Sequence, residues 1–185
     1  IGAPDDDINI LFGNYSNAGR CFIYFFDGSS WVEQANLINS IGFEAQSRLG
    51  YSVDIDSTGY AVAGAPFKDI NSNLDQGQIV LYNRTGTVWN YLNEITSNYG
   101  NSPGAAGDNY GTAVAIQNQK IMVGSPNYDG TSQQNIGAIY YIKNVNSNGF
   151  TQFSVQKGNE FQGNEIANYK LGSNISYDGN FVVAG

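Results

Sequence analysis

A short apolar run followed by Gly-(Ala/Ser)-Pro recurs along the chain at nearly constant spacing: IGAP at Gly2, AVAGAP at Gly64 and IMVGSP at Gly124. A further run, FVVAG, ends on Gly185 in the same phase. The intervals between these glycines are 62, 60 and 61 residues. Such a period describes a row of similar units, each burying its apolar faces against its neighbours. Three more series keep the phase. Leu49-Gly50, Tyr110-Gly111 and Leu171-Gly172 stand ahead of the apolar runs. Gly19, Gly77 and Gly137 open the aromatic runs RCFIYFF, QIVLY and AIYYI. Trp31, Trp89 and Phe150 close polar turns.

Within one unit, residues 51–55 alternate apolar and polar, the period of a strand. A turn at 56–59 leads to a second strand over 60–63, stopped by Pro66. A polar loop, 68–76, precedes a third strand at 78–82. A tight turn at 83–86 precedes a fourth at 89–95. No window carries a helical 3.6-residue period, so the chain is all-β. The first two strands hold small residues (Gly50, Ala61, Ala63, Gly64) and the later ones bulky residues. Units small on one side and large on the other are wedges. Wedges of four antiparallel strands around an axis make a β-propeller. The expected parsing is a propeller segment with a repeat of about 61 residues. It comprises the end of one blade (1–48), two full blades (49–109 and 110–170) and the start of another (171–185). The runs CFIYFF and AIYYI read as strands covered on both faces.

This order of landmarks resembles the FG-GAP repeat. Its FG part corresponds to Leu49-Gly50, Tyr110-Gly111 and Leu171-Gly172. Its GAP part corresponds to Gly2-Ala3-Pro4, Gly64-Ala65-Pro66 and Gly124-Ser125-Pro126, with Gly185 opening another. The resemblance covers essentially the whole chain. Members of that family are β-propellers, typified by the head of integrin α subunits, and serve extracellular adhesion or ligand binding. The resemblance therefore implies a non-catalytic binding, adhesion or structural module, extracellular or at a cell surface. It would meet a protein or glycan ligand through loops at one end, chiefly 66–76 and 126–136. The alternative is a non-catalytic propeller domain of a larger multidomain enzyme. Integrin-type repeats often place a calcium loop between the first two strands. Here those turns, at 54–59, 117–120 and 177–180, are too short and too poor in carboxylates to supply six to eight oxygens.

Composition narrows the chemistry. A net charge of −8, with only eight Lys plus Arg, does not suit nucleic acid or anionic membrane surfaces. No apolar run is long enough for a membrane-spanning helix. The chain has no His, which removes Ser-His-Asp and Cys-His nucleophiles and His-based metal sites. The single Cys21 lies in an apolar run and reads as a buried, inert thiol. No cofactor is expected. The best metal candidate is Asp5-Asp6-Asp7 with Asp69 and Asp75, or Asp129, as a weak calcium site. The plainer reading of these acids is solvated loop residues. Tyr128, just after the third GAP motif, either meets a ligand or lies against its own blade; the second reading is preferred. Asn14, Asn83 and Asn174 head N-linked glycan acceptor triplets, of which about three arise by chance at this density of Asn, Ser and Thr. Both ends of the chain fall inside a motif. They read as cuts in a longer protein, with further blades supplied by the same polypeptide or another subunit.

Overall fold

Strand alternation sets the architecture. The computed structural model describes residues 1–11, 13–39, 42–98, 104–143, 152–157 and 166–185. Regular structure among them is all strand, and no helix is long and apolar enough to cross a membrane. The strands are β1 (Gly2–Ala3), β2 (Ile8–Ile10), β3 (Gly13–Tyr15), β4 (Arg20–Phe26), β5 (Trp31–Leu37), β6 (Ser52–Ile55), β7 (Tyr60–Ala65) and β8 (Gln78–Thr85). They continue with β9 (Val88–Thr96), β10 (Ala113–Gln117), β11 (Lys120–Ser125), β12 (Ala138–Lys143), β13 (Gln152–Lys157), β14 (Ile175–Tyr177) and β15 (Val182–Ala184).

Two complete four-stranded antiparallel sheets form in chain order: β6-β7-β8-β9 (sheet 2) and β10-β11-β12-β13 (sheet 3). Before them stands β1-β4-β5 (sheet 1), and after them the pair β14-β15 (sheet 4). The sheets pack face to face, in the manner of propeller blades, and their first strands lie side by side, β6 against β10 and β10 against β14. The core lies between sheets rather than within one. Sheet 2 turns Val62, Ile79, Leu81 and Ile95 toward Ile121, Val123, Tyr140 and Ile142 of sheet 3. Its other face sets Ala61, Ala63, Val80 and Tyr82 against Cys21 and Leu37 of sheet 1. Register makes the wedge, since Ala61 pairs with Tyr82 and Ala63 with Val80.

The close approach of sheets explains the two glycine motifs. A Cβ on Gly64 would lie 1.9 Å from the carbonyl oxygen of Gly111 in the next sheet; Gly2 meets Gly50, and Gly124 meets Gly172, at the same 1.9 Å. Each FG glycine also donates its N–H to the carbonyl of its own sheet's GAP glycine: Gly50 to Gly64 (2.9 Å), Gly111 to Gly124 (3.0 Å) and Gly172 to Gly185 (3.1 Å). The Pro of the motif sits at the second position of a turn, where its fixed φ fits. The turn closes from Asp6 N–H to Ala3 O (3.3 Å), Lys68 to Ala65 (3.2 Å) and Tyr128 to Ser125 (3.2 Å).

Several local expectations change. Strand β8 runs on to Thr85, so the tight turn is Gly86-Thr87 and not 83–86, and Asn83 lies within the strand, paired with Tyr60. Residues 1–48 hold more than third and fourth strands. Gly2–Ala3 pairs with Arg20 and Cys21, and the first loop folds its own hairpin, β2-β3. The run CFIYFF is covered on both faces only at its start, because Tyr24, Phe25 and Phe26 are exposed. AIYYI is more fully covered, with Ile139, Tyr140 and Ile142 buried. The marker Phe150 lies outside the described residues.

We predict that Gly111→Ala destabilises the chain by about 3 kcal/mol or more, because the added methyl meets backbone that cannot move independently. Thermal or urea unfolding of the variant measures it, and a loss below about 1 kcal/mol would show the approach to be soft. The β10-β11 turn is two residues, Asn118 and Gln119, both with positive φ (50° and 60°). Asn-Gly is the preferred pair for such a turn, so Gln119→Gly is expected to stabilise by up to about 1 kcal/mol in the same assay.

Candidate functional site

The loop end of the sheets carries the charged and polar residues singled out from the sequence. Its framework repeats three times. At the first junction, Gln46, Arg48 and Leu49 donate backbone N–H groups to the carbonyls of Ser16 (2.8 Å), Asn17 (3.1 Å) and Ala18 (2.9 Å). At the second, Gly107, Asn109 and Tyr110 donate to Leu74 (2.8 Å), Asp75 (3.1 Å) and Gln76 (2.9 Å). At the third, Asn168, Lys170 and Leu171 donate to Gln134, Asn135 (both 3.0 Å) and Ile136 (3.3 Å). Each junction therefore clamps the loop of one sheet to the entry of the next.

One acid serves each clamp. The carboxylate of Asp7 accepts the N–H of Asn17, Asp69 that of Asp75, and Asp129 that of Asn135, each at 2.8 Å. The three acceptor loops hold their capped residue at positive φ: 50° at Asn17, 52° at Asp75 and 52° at Asn135. Left-handed backbone costs a non-Gly residue energy, and Asn and Asp bear it best. The capping carboxylate offsets part of that cost with a charge-assisted hydrogen bond.

The acids named as metal candidates are thus distributed among separate tasks. Asp5 pairs with Arg48 (3.1 Å) and Asp6 with Arg20 (2.6 Å). Asp7, Asp69 and Asp129 cap three different loops. Burial, with Asp69 and Glu44 nearby, raises the carboxyl of Asp75 above its ordinary value. Among the described residues no three carboxylates gather in a metal-binding group. Lys68 is ion-paired with Glu44, whose second oxygen accepts the N–H of Asp69 (3.0 Å). Arg48 also lies over the ring of Phe67, 5.3 Å from its centre.

The turns between first and second strands are committed as well. Asp56 accepts N–H groups from Thr58 (2.9 Å) and Tyr60 (3.1 Å) within its turn, and from Gln119 of the next sheet (3.0 Å). Asp54 accepts the N–H of Ile116, 2.7 Å away on that sheet. Asp178 accepts those of Asn180 (2.8 Å) and Phe181 (2.7 Å). Spacing alone shows too few ligands in these turns; that Asp54 and Asp56 fasten sheet 2 to sheet 3 was not legible.

Tyr128 packs on the core of sheet 3, with Lys157 of β13 over its ring at 5.3 Å, so it lies against its own sheet. Cys21 is buried, and burial pushes its thiol up to about 12, far from thiolate at neutral pH. Asn14 is exposed on β3, Asn174 is exposed ahead of β14, and Asn83 is half-buried in mid-sheet. Two of the recesses among the described residues bear on the sheet interfaces. One, about 150 Å³ between sheets 1 and 2, is lined chiefly by Ile23, Leu37, Val53, Ile55 and Tyr82 and is apolar. The other lies where first strands converge, among Tyr51, Ser52, Thr112, Ser173 and Asn174, and is polar.

Stacked four-stranded antiparallel sheets, joined by glycine contacts at a fixed period, define a β-repeat protein. Residues 101–142 match the family model of the FG-GAP repeat. The matched stretch includes Tyr110-Gly111 and Gly124-Ser125-Pro126, the FG and GAP elements of sheet 3. No curated protein matches the chain.

A cap and a calcium ligand respond differently to substitution. Asp69→Ala is expected to lower stability by about 1 kcal/mol, while Asp69→Asn, whose amide oxygen still accepts, stays near wild type. Calcium or a chelator should leave the wild-type unfolding midpoint unchanged; stabilisation by calcium that disappears in Asp69→Asn would establish a metal site instead.

Proposed function

We propose that this chain is a non-catalytic binding or adhesion module of an extracellular or cell-surface protein, meeting a protein or glycan ligand through its loop end. The observation that supports this most is the division of labour in the loops. The clamp positions 17, 75 and 135, with their capping acids, repeat from sheet to sheet. The residues between them differ in length and chemistry: a hairpin in the first loop, exposed Leu74 in the second, and exposed Thr131, Ser132, Gln133 and Gln134 in the third. A rigid frame presenting variable loops is how many binding proteins are built. The FG-GAP repeat fits the same reading, and so do the exposed glycan acceptor triplets at Asn14 and Asn174. The non-catalytic part of the proposal is supported by the absence of His and by the structural employment of the carboxylates described above.

The test is binding of the immobilised chain to arrays of glycans and of extracellular glycoproteins. A ligand captured by wild type should be lost, by at least about tenfold in affinity, with Leu74→Asp or Gln134→Ala, and kept with Glu33→Gln on the outer strand β5. Binding indifferent to both loop variants, or failure to bind across both arrays, would overturn the loop-end assignment. Turnover of an arrayed glycan would overturn the non-catalytic one.

A further inference from the structure

We propose that Asp108 makes the junction between sheets 2 and 3 responsive to mild acid: the folded junction that seats Asn109 and Tyr110 on sheet 2 is more stable with this buried carboxyl protonated than with it ionised. The geometry places this residue at the meeting point of two sheets. Its side chain accepts the N–H of Ala105 (2.7 Å), closing the turn 105–108. Its carbonyl accepts the hydroxyl of Ser125, the middle residue of the third GAP motif, at 2.8 Å. The next two residues, Asn109 and Tyr110, make the clamp to Asp75 and Gln76. Asp108 is only 2% exposed.

The groups around it favour a neutral carboxyl. From sheet 3 it faces Asp129, in the loop after the GAP motif, and Tyr140 on β12. The tyrosine of that loop, Tyr128, also acts on Tyr140, and the cation on that side, Lys157, lies over the Tyr128 ring. From sheet 2 the junction brings the backbone of Asp75, whose carbonyl accepts the N–H of Asn109 (3.1 Å). Burial first, with Asp129 adding to it, pushes the Asp108 carboxyl up to about 6 against an opposing hydrogen bond from Ala105.

The repeat supplies an internal control. One period earlier stands Ser47, also buried, whose hydroxyl donates to the carbonyls of Ala18 (3.1 Å) and Glu44 (2.9 Å). The fold therefore forms this turn with a neutral side chain. The ionisable group at the second junction is not required by the framework, and it confers on that junction a pH dependence the first lacks.

The sign follows from linkage. A carboxyl whose folded pKa lies above its unfolded value binds its proton more tightly when folded. Its contribution is full below about pH 4 and is lost as pH rises through about 6. Between those values the unfolding constant of wild type, relative to Asp108→Asn, should rise by up to about a hundredfold, since two pKa units are a factor of about one hundred. Asp108→Asn keeps an acceptor for Ala105 and should be the more stable protein at pH 7.5, with the difference vanishing near pH 4. Asp108→Ser, which places at the second junction the side chain that Ser47 supplies at the first, should likewise flatten the profile. Amide hydrogen exchange at Asn109 and Tyr110 should slow in wild type as pH falls from 7 to 5, after correction for intrinsic rates, and not in Asp108→Asn. Parallel stability profiles for wild type and Asp108→Asn would overturn the proposal. Should the variants fail to fold, carbon NMR of the wild-type carboxyls decides: an Asp108 midpoint near 4 overturns it, and one near 6 that falls in Asp129→Asn upholds it.

Discussion

The contact between a GAP glycine in one sheet and an FG glycine in the next governs the rest of the molecule. At 1.9 Å from a hypothetical Cβ to a carbonyl oxygen, no side chain fits at Gly2, Gly64 or Gly124. The sheets are therefore pinned backbone to backbone at these glycines. Away from the pin they must diverge, and bulky residues fill the widening gap: Val80 and Tyr82 toward sheet 1, Ile79 and Leu81 toward sheet 3. The wedge is a consequence of the pin, and side-by-side first strands are a consequence of the wedge. Because the core lies between sheets, a single sheet has no core of its own, and stability accrues by nearest-neighbour interfaces.

The hydrogen-bonded clamps extend this pin into the loops. Backbone there must turn left-handed at several places per junction, and only some of these are glycine. Arg48 (φ 55°), Asn109 (53°) and Lys170 (54°) occupy one equivalent position, and Gln46 (68°), Gly107 (79°) and Asn168 (60°) another. Side chains of such different type share one strained conformation, so the surrounding hydrogen bonds impose it, not local preference. The same logic assigns the acids. Asp7, Asp69 and Asp129 recur because a left-handed loop residue needs its N–H held. The residue just before each of them is free to vary, and it does: Asp6 pairs with Arg20, Lys68 with Glu44, and Tyr128 packs beneath Lys157.

The fold was legible because its determinants are periodic and of few types. Glycine and proline positions reported the pins and turns, and alternation in 51–55 and 89–95 reported the strands. What escaped were features set by contact between distant residues. The capping role of Asp69 depends on a loop residue six positions away, and that of Asp54 on Ile116 in another sheet. A count of carboxylates sees a candidate ligand in Asp69 and only a shortage of ligands around Asp54, because nothing in the one-dimensional pattern marks an acid that holds backbone N–H groups. The hairpin β2-β3 was missed for a different reason. Its strands are three residues each, too short to show alternation, and it forms in a segment read by analogy with loops that fold no hairpin. The misplaced turn at 83–86 reflects propensity overridden by register: Asn83 and Arg84 have turn character, yet β7 and β9 on either side supply partners that keep β8 extended to Thr85.

Repeats that share a frame reveal function by where they differ. Strands β4 of sheet 1 and β8 of sheet 2 break register at equivalent places, between Ile23 and Tyr24 and between Leu81 and Tyr82. Beyond that break the two hairpins part company. Sheet 2 carries Asn83, Arg84 and Asn90 where sheet 1 carries Phe25, Phe26 and Val32, and Trp31 of sheet 1 is 70% exposed against the half-buried Trp89, whose ring nitrogen donates to Gln34 across the interface (2.8 Å). The frame tolerates either chemistry, so the apolar tip is not demanded by folding. The same holds at the junctions, where Ser47 and Asp108 occupy one position with opposite consequences for charge. Variation of this kind cannot come from the glycine pins, which admit no change, and it concentrates on hairpin tips and loop turns. A molecule built this way separates what must be constant from what is free to specialise, and its individual behaviour is written in the second set.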